Sequence, residues 1–264
     1  MSLLTVRDLV MTARSGNSEI KILDHVALEL KEGTITGVAG ASGSGKTMTG
    51  MAVMGLTPDN TQISGSIKYG DHELVGMPRK AHNALRGVDL AMIFQDASSA
   101  LHPMLSIERQ MTDHARHHQK LSKREARDRA VELLERTRVP NPREALRKYP
   151  HQFSGGQLQR IGIASALMCS PKVVIADEPT TALDVTVQAG ILRLLRELCD
   201  EFGLGVMLVT HDFGVLSSIA DEVVVMDKGV VVESGDRYDV IVNPQHPYTR
   251  SLIESLPTAE TERS

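Results

Sequence analysis

The sequence has 264 residues, of which 41% are hydrophobic and 23% charged, and its formal net charge is −4. These values predict a soluble globular protein with one large or two small domains, and the negative charge gives no basic field for nucleic acid. No uninterrupted apolar run approaches the roughly 20 residues of a membrane span, and the charged N-terminus does not resemble a secretory signal. The two cysteines, Cys169 and Cys199, are expected to be reduced thiols in a cytoplasmic protein.

Short apolar, β-branched runs recur along the chain. They lie at residues 34–40, 90–94, 172–177, 205–210 and 222–226. Such runs predict buried parallel strands, because both faces of a parallel sheet are covered. Amphipathic stretches such as residues 187–198 separate several of the runs, so the alternation predicts an α/β fold. Residues 226–232 predict instead a β-hairpin that turns at Gly229.

Residues 98–146 contain no strand-like run. Within them, residues 123–138 are rich in helix formers and have an apolar side made of Ala126, Ala130, Val131, Leu133 and Leu134. We predict a helical insert between two strands of the core, closed where Pro140 and Pro142 stop a helix. The polar tail after Pro257 is expected to fray.

The segment GASGSGKT, residues 40–47, follows a predicted strand and opens a predicted helix. Its glycines let successive backbone N–H groups point at one anion, and the helix N-terminus adds its positive dipole end. Lys46 would bridge the terminal phosphates of a nucleotide, and Thr47 would offer its hydroxyl to Mg²⁺. A plain glycine linker does not explain Lys-Thr at this position. The predicted nucleotide-binding residues here are Gly40, Ala41, Ser42, Gly43, Ser44, Gly45, Lys46, Thr47 and Thr49.

Two carboxylates, Asp177 and Glu178, follow the predicted strand at 172–177. Ligands of open parallel sheets bind at the carboxyl ends of the strands. Asp177 therefore fits a magnesium carboxylate, and Glu178 fits a general base that polarises an attacking water. A helix N-terminal cap is the structural alternative for this pair. The preceding phosphate-binding loop favours the catalytic interpretation.

A second predicted anion site lies at Ser154, Gly155, Gly156 and Gln157, just before an amphipathic run. A helix start with a hydroxyl and free N–H groups attracts an anion. Since one nucleotide does not occupy two distant sites of one chain, this segment is interpreted as completing a nucleotide pocket on another subunit. Gln95 and His211 each follow a predicted strand, and His211 is placed to reach the terminal phosphate.

Six motifs in order, GASGSGKT, Gln95, FSGGQ, VVIADEP, TALD and VTHD, resemble those of the ATP-binding subunit of an ABC transporter. The resemblance extends over almost the whole chain. It implies that residues 40–47 are the Walker A motif, that Asp177 is the Walker B carboxylate and that Glu178 is the catalytic base. It also implies that Gln95 contacts Mg²⁺ and water, so that Thr47, Gln95 and Asp177 form the metal site.

The same resemblance implies that Ser154 to Gln157 form the signature that caps the ATP of an opposing subunit. Asp184 matches the D-loop and His211 the switch histidine, so Glu178, His211 and Gln95 are the expected catalytic residues. The implied fold is a P-loop NTPase core with a mostly parallel sheet, an N-terminal antiparallel β subdomain and an inserted α-helical subdomain. The implied domains are a nucleotide-binding domain (1–257), with core segments 1–97 and 147–242 around the insert 98–146, and a C-terminal extension (243–264).

The segments PTTALDVTVQAGIL and NPQHPYTRSLIESLP (243–257) resemble the peptide/nickel importer subfamily. This implies ATP-driven uptake of oligopeptides, dipeptides, nickel or metal chelates at the cytoplasmic face of a bacterial inner membrane. The implied partners are two membrane permease subunits, a second ATP-binding subunit (a sister subunit rather than an identical copy) and, indirectly, an extracytoplasmic binding protein. ATP and Mg²⁺ are expected, and nucleic acid is not. The alternatives are an ABC-type ATPase of a non-transport system and a P-loop kinase or GTPase.

Two departures from the family pattern affect ligand binding. No aromatic residue precedes Tyr69, so adenine cannot stack on an upstream aromatic ring, and we expect loose base recognition through Ile20, Ile22 or Arg14. No cysteine follows Cys199, so no iron–sulfur cluster is expected.

Three histidines, His114, His117 and His118, have a helical spacing that suits a metal ion. Charged neighbours favour a solvated polar helix face instead.

Overall fold

Residues 1–16, 18–181 and 183–255 are described by the structure, a computed structural model. Asn17, Ala182 of the TALD motif, and residues 256–264 with the predicted frayed tail lie outside that description. The strands are β1 (Ser2–Ser15), β2 (Ser18–Lys31), β3 (Thr34–Ala39), β4 (Thr61–Tyr69), β5 (His72–Glu73), β6 (Leu90–Ile93), β7 (Val173–Asp177), β8 (Gly205–Val209), β9 (Glu222–Asp227) and β10 (Val230–Asp236). The helices are α1 (Lys46–Met54), α2 (Arg79–Leu85), α3 (Ala97–Ala100), α4 (Ile107–Gln119), α5 (Lys123–Arg136), α6 (Pro142–Ala145), α7 (Gly155–Ala166), α8 (Val185–Phe202), α9 (Phe213–Ile219), α10 (Arg237–Val242) and α11 (Pro247–Glu254).

A six-stranded sheet, with strand order β10-β9-β3-β8-β7-β6, forms the centre of the protein. Strands β9, β3, β8, β7 and β6 run parallel, and β10 is antiparallel to β9. Alternate residues of β7 face two different cores: Val174 packs with the helices on one side, and Val173 and Ile175 pack with α1 and the second sheet on the other. Because both faces are covered, the parallel strands are mostly apolar and buried along their length, and the predicted α/β fold is confirmed.

A second, antiparallel sheet has the order β2-β1-β4-β5. Its inward side chains, Leu4, Leu9 and Met11 among them, are fully buried. They share a core with α1 and with one face of the parallel sheet. The predicted N-terminal antiparallel subdomain is therefore confirmed, and α1 lies between the two sheets.

The hairpin between β9 and β10 turns at Lys228 and Gly229, as predicted for Gly229. Both residues have positive φ, 46° and 84°, which is the backbone of a two-residue type I′ turn. Gly229 also joins neighbouring segments: its N–H donates to the Ser44 carbonyl at 3.0 Å, and its carbonyl accepts from the Asp24 N–H at 2.8 Å. A Cβ at this position would collide with the Ile22 carbonyl.

Helices α3 to α6 lie between β6 and α7, which confirms a helical insert in the core. Ser122 and Glu125 form a capping box at the start of α5, each side chain accepting the other residue's backbone N–H. The predicted apolar side of α5 is buried. The role given to Pro142 was wrong, because Pro142 begins α6, whereas Pro140 lies in the non-helical segment between the end of α5 at Arg136 and α6. Proline is suited to a first helical position because no N–H partner is needed there.

The chain after β10 folds back onto the main core through α10 and α11. Tyr248, Leu252 and Ile253 of α11 pack against that core. Glu233 on β10 accepts the backbone N–H groups of Gln245 at 2.7 Å and His246 at 3.1 Å. The segment that leads into α11 is thereby held against the sheet.

Candidate functional site

Four strand ends bring the predicted phosphate loop, the Mg²⁺ carboxylate and the catalytic residues to one edge of the parallel sheet. The phosphate loop follows β3, Gln95 lies just after β6, Asp177 ends β7, and His211 lies just after β8. Parallel strands share a carboxyl edge, and such edges hold the ligands of open α/β sheets. The sheet topology therefore assembles groups that are far apart in sequence.

The loop before α1 has the tight backbone that its glycines predict. Gly43 and Gly45 have φ of 80° and 100°, and a Cβ on Gly45 would lie 2.7 Å from the Leu23 side chain. A Cβ on Gly43 would meet no described residue within 4 Å. The loop is thus closed against β2 at Gly45 and open towards a cavity at Gly43.

That cavity has a volume of about 450 Å³, within the usual range for ligand sites. It is bounded by Ile22, Ser42, Gly43, Ser44, Gly45, Lys46, Thr47, Met48, Gln95 and Glu178. Most of the predicted loop residues therefore face one space together with two of the predicted catalytic residues. Met48 is a further lining residue that the motif did not indicate.

Buried polar groups in the loop suit an anionic ligand. Lys46 is 6% exposed, and its Nζ donates to the carbonyls of Gly40 at 2.8 Å and Ala41 at 2.9 Å. Burial lowers the pKa of Lys46, although the nearby carboxylates of Glu178 and Asp177 oppose this. Within the described part of the chain, the buried Ser44 hydroxyl has no hydrogen-bond partner. A phosphate would give the Ser44 hydroxyl a partner, which is costly to leave out of a buried site, and would pair with the Lys46 charge.

Thr47 and Asp177 are brought together across the loop. Thr47 Oγ1 donates to Asp177 Oδ1 at 2.9 Å, and Asp177 is buried. Burial raises the pKa of Asp177, while the Thr47 hydroxyl and the Lys46 ammonium oppose the shift. A hydroxyl beside a desolvated carboxylate is an oxygen donor set that suits Mg²⁺.

Thr49 does not face the cavity, so its prediction as a nucleotide-binding residue was wrong. It is fully buried, and its hydroxyl donates to the Gly45 carbonyl at 3.0 Å. Its position one turn into α1 points the side chain back at the preceding turn. Thr49 therefore stabilises the loop from the buried side, through its hydrogen bond to Gly45.

Glu178 lies at the centre of a small hydrogen-bonded group. Its Oε2 accepts from Gln95 Nε2 at 3.2 Å and from the Thr181 hydroxyl at 2.9 Å, and its Oε1 lies 3.1 Å from His211 Nδ1. Glu178 has a φ of 44°, a left-handed backbone that is strained for a residue with a side chain. The motifs predicted three members of this group but assigned no role to Thr181.

The predicted signature residues line a separate pocket. It is bounded by Ser154, Gly155, Gly156, Gln157, Arg160, Leu183, Asp184 and Val187, and among the residues that the structure describes it shares none with the loop cavity. Ser154 and Gln157 cap α7 reciprocally, and Asp184 caps α8 through the Val187 N–H. These caps stabilise the two helix starts. They also fix the exposed backbone of Gly155 at the pocket surface.

One wall of the loop cavity carries an aliphatic residue, Ile22, from β2. Ile22 is the extra residue of a β-bulge, because Met11 pairs with Leu23 while Thr12 pairs with Lys21. A bulge can redirect a side chain towards a site. Ile20 is 54% exposed, and Arg14 pairs with Glu19, on the strand face opposite to Ile20. Of the three candidates, Ile22 is the one that lines the cavity.

An apolar groove of about 310 Å³ lies beside Gln95, between α1, β6 and the helical insert. Leu56 and Phe94 line it and are 41% and 42% exposed. His114 also lines this groove and is half-buried, so the prediction of a solvated face was wrong for His114, whereas His117 and His118 are exposed. The spacing of the three histidines in the sequence does not show that α4 contacts α7. This contact buries one side of α4.

In the described ranges, no cluster of three or more His, Cys, Asp or Glu side chains is arranged to hold a metal ion. Cys169 and Cys199 are buried and unpaired, and burial raises the pKa of Cys199 to about 11. No helix among the described residues is both long and apolar enough to cross a membrane.

A phosphate-binding loop at the edge of a parallel sheet, with a carboxylate group facing it, defines a P-loop nucleotide-hydrolysing protein. The family is shown by comparison with known proteins: residues 23–181 match the family model described as ABC transporter. The chain therefore belongs to the ABC transporter family, and it is an ATPase of the kind that is coupled to transport. Residues 232–264 match a second model, described as the oligopeptide/dipeptide transporter C-terminal region.

Individual relatives agree with this family. The chain is 41% identical to the oligopeptide transport ATP-binding protein OppD of Salmonella typhimurium over 260 residues, 98% of this chain and 78% of that protein. It is also 41% identical to the dipeptide transport ATP-binding protein DppD of Bacillus subtilis, over 96% of this chain and 76% of that protein. A solved dimeric structure of the ATP-binding cassette MJ0796 with ADP and Pi has a TM-score of 0.79 and 27% identity, covering 89% of this chain and 98% of that one.

Proposed function

We propose that this chain is the ATPase subunit of a bacterial importer for oligopeptides or dipeptides. The observation that carries the substrate class is the match of residues 232–264 to the C-terminal region of oligopeptide/dipeptide transporters. The relatives named above act, by their names, on oligopeptides and dipeptides. Nickel and metal chelates were also expected from the resemblance, and they serve as competing substrates in the test.

The loop cavity is proposed to bind ATP by its phosphates. Lys46 and the N–H groups at the start of α1 would hold the terminal phosphates, because they are buried cationic or dipolar donors. Thr47 and Asp177, with Gln95, would hold Mg²⁺, which neutralises phosphate charge when bound. Ser42 to Gly45 supply the backbone that surrounds the phosphates.

Glu178 is proposed to act as the general base of hydrolysis. Its carboxylate would accept a proton from the attacking water while the oxygen of that water attacks the terminal phosphorus. Gln95 and Thr181 orient one oxygen of the carboxylate, and His211 lies beside the other. A base held by three neighbours keeps its geometry as charge develops.

The signature pocket is proposed to cap the nucleotide of a second subunit. In this chain it does not meet the loop cavity, and Gly155 presents its backbone at an exposed helix start. The dimeric structure of the related cassette supports a paired arrangement. We propose a head-to-tail pair with a sister ATPase, closed by ATP and reopened by hydrolysis.

The apolar groove beside Gln95 is proposed to receive a cytoplasmic loop of a permease. Leu56 and Phe94 leave apolar surface exposed there, and such surface commonly marks a protein interface. Phe94 is adjacent to Gln95, so a partner in the groove would be next to the catalytic group. The chain would thus act at the cytoplasmic face of the inner membrane, with two permease subunits and, indirectly, an extracytoplasmic binding protein.

The proposal is tested by co-purification and uptake. The tagged chain, expressed in its own host, should co-purify from detergent-solubilised membranes with two membrane proteins and a second ATPase. Deleting the gene should abolish uptake of labelled di- and oligopeptides, and the wild-type gene should restore it. Leu56→Asp, which places a charge in the groove, should retain ATP binding and lose both co-purification and uptake.

The matched control is Val242→Asp, because Val242 is 61% exposed and does not line the groove. Unchanged uptake of peptides with lost uptake of nickel would reject the peptide proposal. Recovery of the chain with nucleic acid and without membrane proteins would favour a non-transport ATPase.

Base selectivity gives a separate prediction. The purified ATPase should bind GTP within about fivefold of its affinity for ATP, because Ile22 offers no aromatic ring and a stacking contact is worth roughly 1 kcal/mol or more. Competition between labelled ATP and unlabelled GTP measures the ratio. The variant Ile22→Tyr should tighten the binding of both nucleotides, because either base can stack on an aromatic ring. Strict ATP selectivity in the wild type would contradict the prediction.

A further inference from the structure

The outer side of the phosphate loop is held by residues from distant parts of the chain. The Ser44 carbonyl accepts from the Gly229 N–H at the β9–β10 turn. The Ala41 N–H donates to the phenolic oxygen of Tyr248 at 3.1 Å. Tyr248 lies on α11, within the C-terminal segment, so a residue outside the nucleotide motifs touches the loop directly.

Tyr248 and Lys46 contact opposite ends of the same peptide unit. In the peptide between Gly40 and Ala41, the N–H donates to the Tyr248 hydroxyl oxygen, and the carbonyl accepts from Lys46 Nζ at 2.8 Å. Hydrogen bonds in such a chain polarise one another, and each fixes the plane of the peptide. The orientation that the Lys46 ammonium requires is therefore set in part by the Tyr248 hydroxyl.

The hydroxyl is itself held in a defined place. The Tyr248 ring packs against the main core, and His246 Nδ1 accepts the Tyr248 N–H at the start of α11. Glu233 on β10 holds the two preceding backbone N–H groups. The tyrosine is thus attached to the sheet through its ring, its helix and the segment before that helix.

We propose that Tyr248 is a positioning residue for nucleotide binding, which orients the Gly40–Ala41 peptide and through it the Lys46 ammonium. The inference rests on the proposed role of Lys46 in holding phosphates. It makes the C-terminal helix a working part of the nucleotide site. Because Tyr248 orients the Lys46 ammonium through one peptide and does not carry its charge, the loss of its hydroxyl should weaken the binding of ATP and ADP alike and change the hydrolytic step less.

The test is Tyr248→Phe in the full-length chain, which removes one oxygen and keeps the ring. The dissociation constants of fluorescent ATP and ADP analogues should both rise about three- to fivefold, in the range of one hydrogen bond. The KM for ATP should rise by the same factor, with kcat within twofold of wild type and Tm unchanged. Glu233→Gln, which weakens the attachment of α11, should move both dissociation constants in the same direction by a smaller factor.

The matched control is Tyr238→Phe, because Tyr238 is 66% exposed on the neighbouring helix and should leave every value unchanged. Wild-type affinities in a folded Tyr248→Phe protein would overturn the inference. A fall in kcat with unchanged KM would also overturn it. A wild-type protein that binds neither nucleotide would instead contradict the proposed role of Lys46, which keeps the two failures distinct.

Discussion

The variant Glu178→Gln should bind ATP with nearly wild-type affinity and hydrolyse it about 10²- to 10⁴-fold more slowly. The amide has the shape of the carboxylate and can still contact Gln95 and Thr181. It cannot accept a proton from water, so the loss should fall on kcat. With its partner ATPase present, the variant should accumulate as an ATP-bound dimer, because the pair closes and is not reopened.

Steady-state hydrolysis and size-exclusion chromatography with and without ATP measure the two effects. The control is Glu135→Gln, an exposed glutamate of α5, which should match the wild type in both. If Glu178→Gln hydrolyses ATP at a near-normal rate, Glu178 is not the base, and the group around it has another purpose.

Replacing Lys46 by alanine should weaken ATP binding by about 10- to 100-fold, which corresponds to the loss of one charge-assisted hydrogen bond in a desolvated site. The ammonium has a second function that is also lost, since it joins the carbonyls of Gly40 and Ala41. Hydrolysis at saturating ATP should fall as well, because the same charge stabilises the transferring phosphate.

Equilibrium binding of a fluorescent ATP analogue measures this effect, and thermal unfolding shows whether the variant remains folded. Lys68→Ala is the matched control, because Lys68 is an exposed lysine of β4 that should leave the affinity unchanged. If a folded Lys46→Ala protein bound ATP with unaltered affinity, the phosphates would have to bind elsewhere than at Lys46. Together with Glu178→Gln, this variant separates loss of binding from loss of turnover.

Much of the fold and of the candidate site was predictable because the relevant signals are local. Strand β7 is apolar at every position from Val173 until Asp177, so its burial and the placement of a carboxylate at its end follow from the sequence. The glycines of residues 40–47 are required by a backbone that other residues adopt only with strain. Parallel strands share one carboxyl edge, so it was also predictable that the loop, Asp177, Glu178 and His211 would meet there.

The remaining features depend on contacts between distant segments. Nothing near Tyr248 in sequence indicates that its hydroxyl reaches Ala41, 207 positions away. The position of Thr49 depends on how α1 is rotated between the two sheets, and that of His114 on which side of α4 meets α7. The left-handed backbone of Glu178 is also not visible in the sequence, because glutamate does not favour that conformation. Strain of this kind persists at functional sites when the surrounding packing enforces it.

Gly229 has a consequence for the distance between two walls of the loop cavity. Through its N–H it is bonded to Ser44 of the phosphate loop, and through its carbonyl to Asp24, two residues beyond Ile22 on β2. One residue of a tight turn therefore fixes the separation between the phosphate loop and the part of β2 that carries Ile22, the proposed base contact. Since this turn is bonded to both segments, we expect the phosphate loop and this end of β2 to move together as one rigid unit during the ATPase cycle.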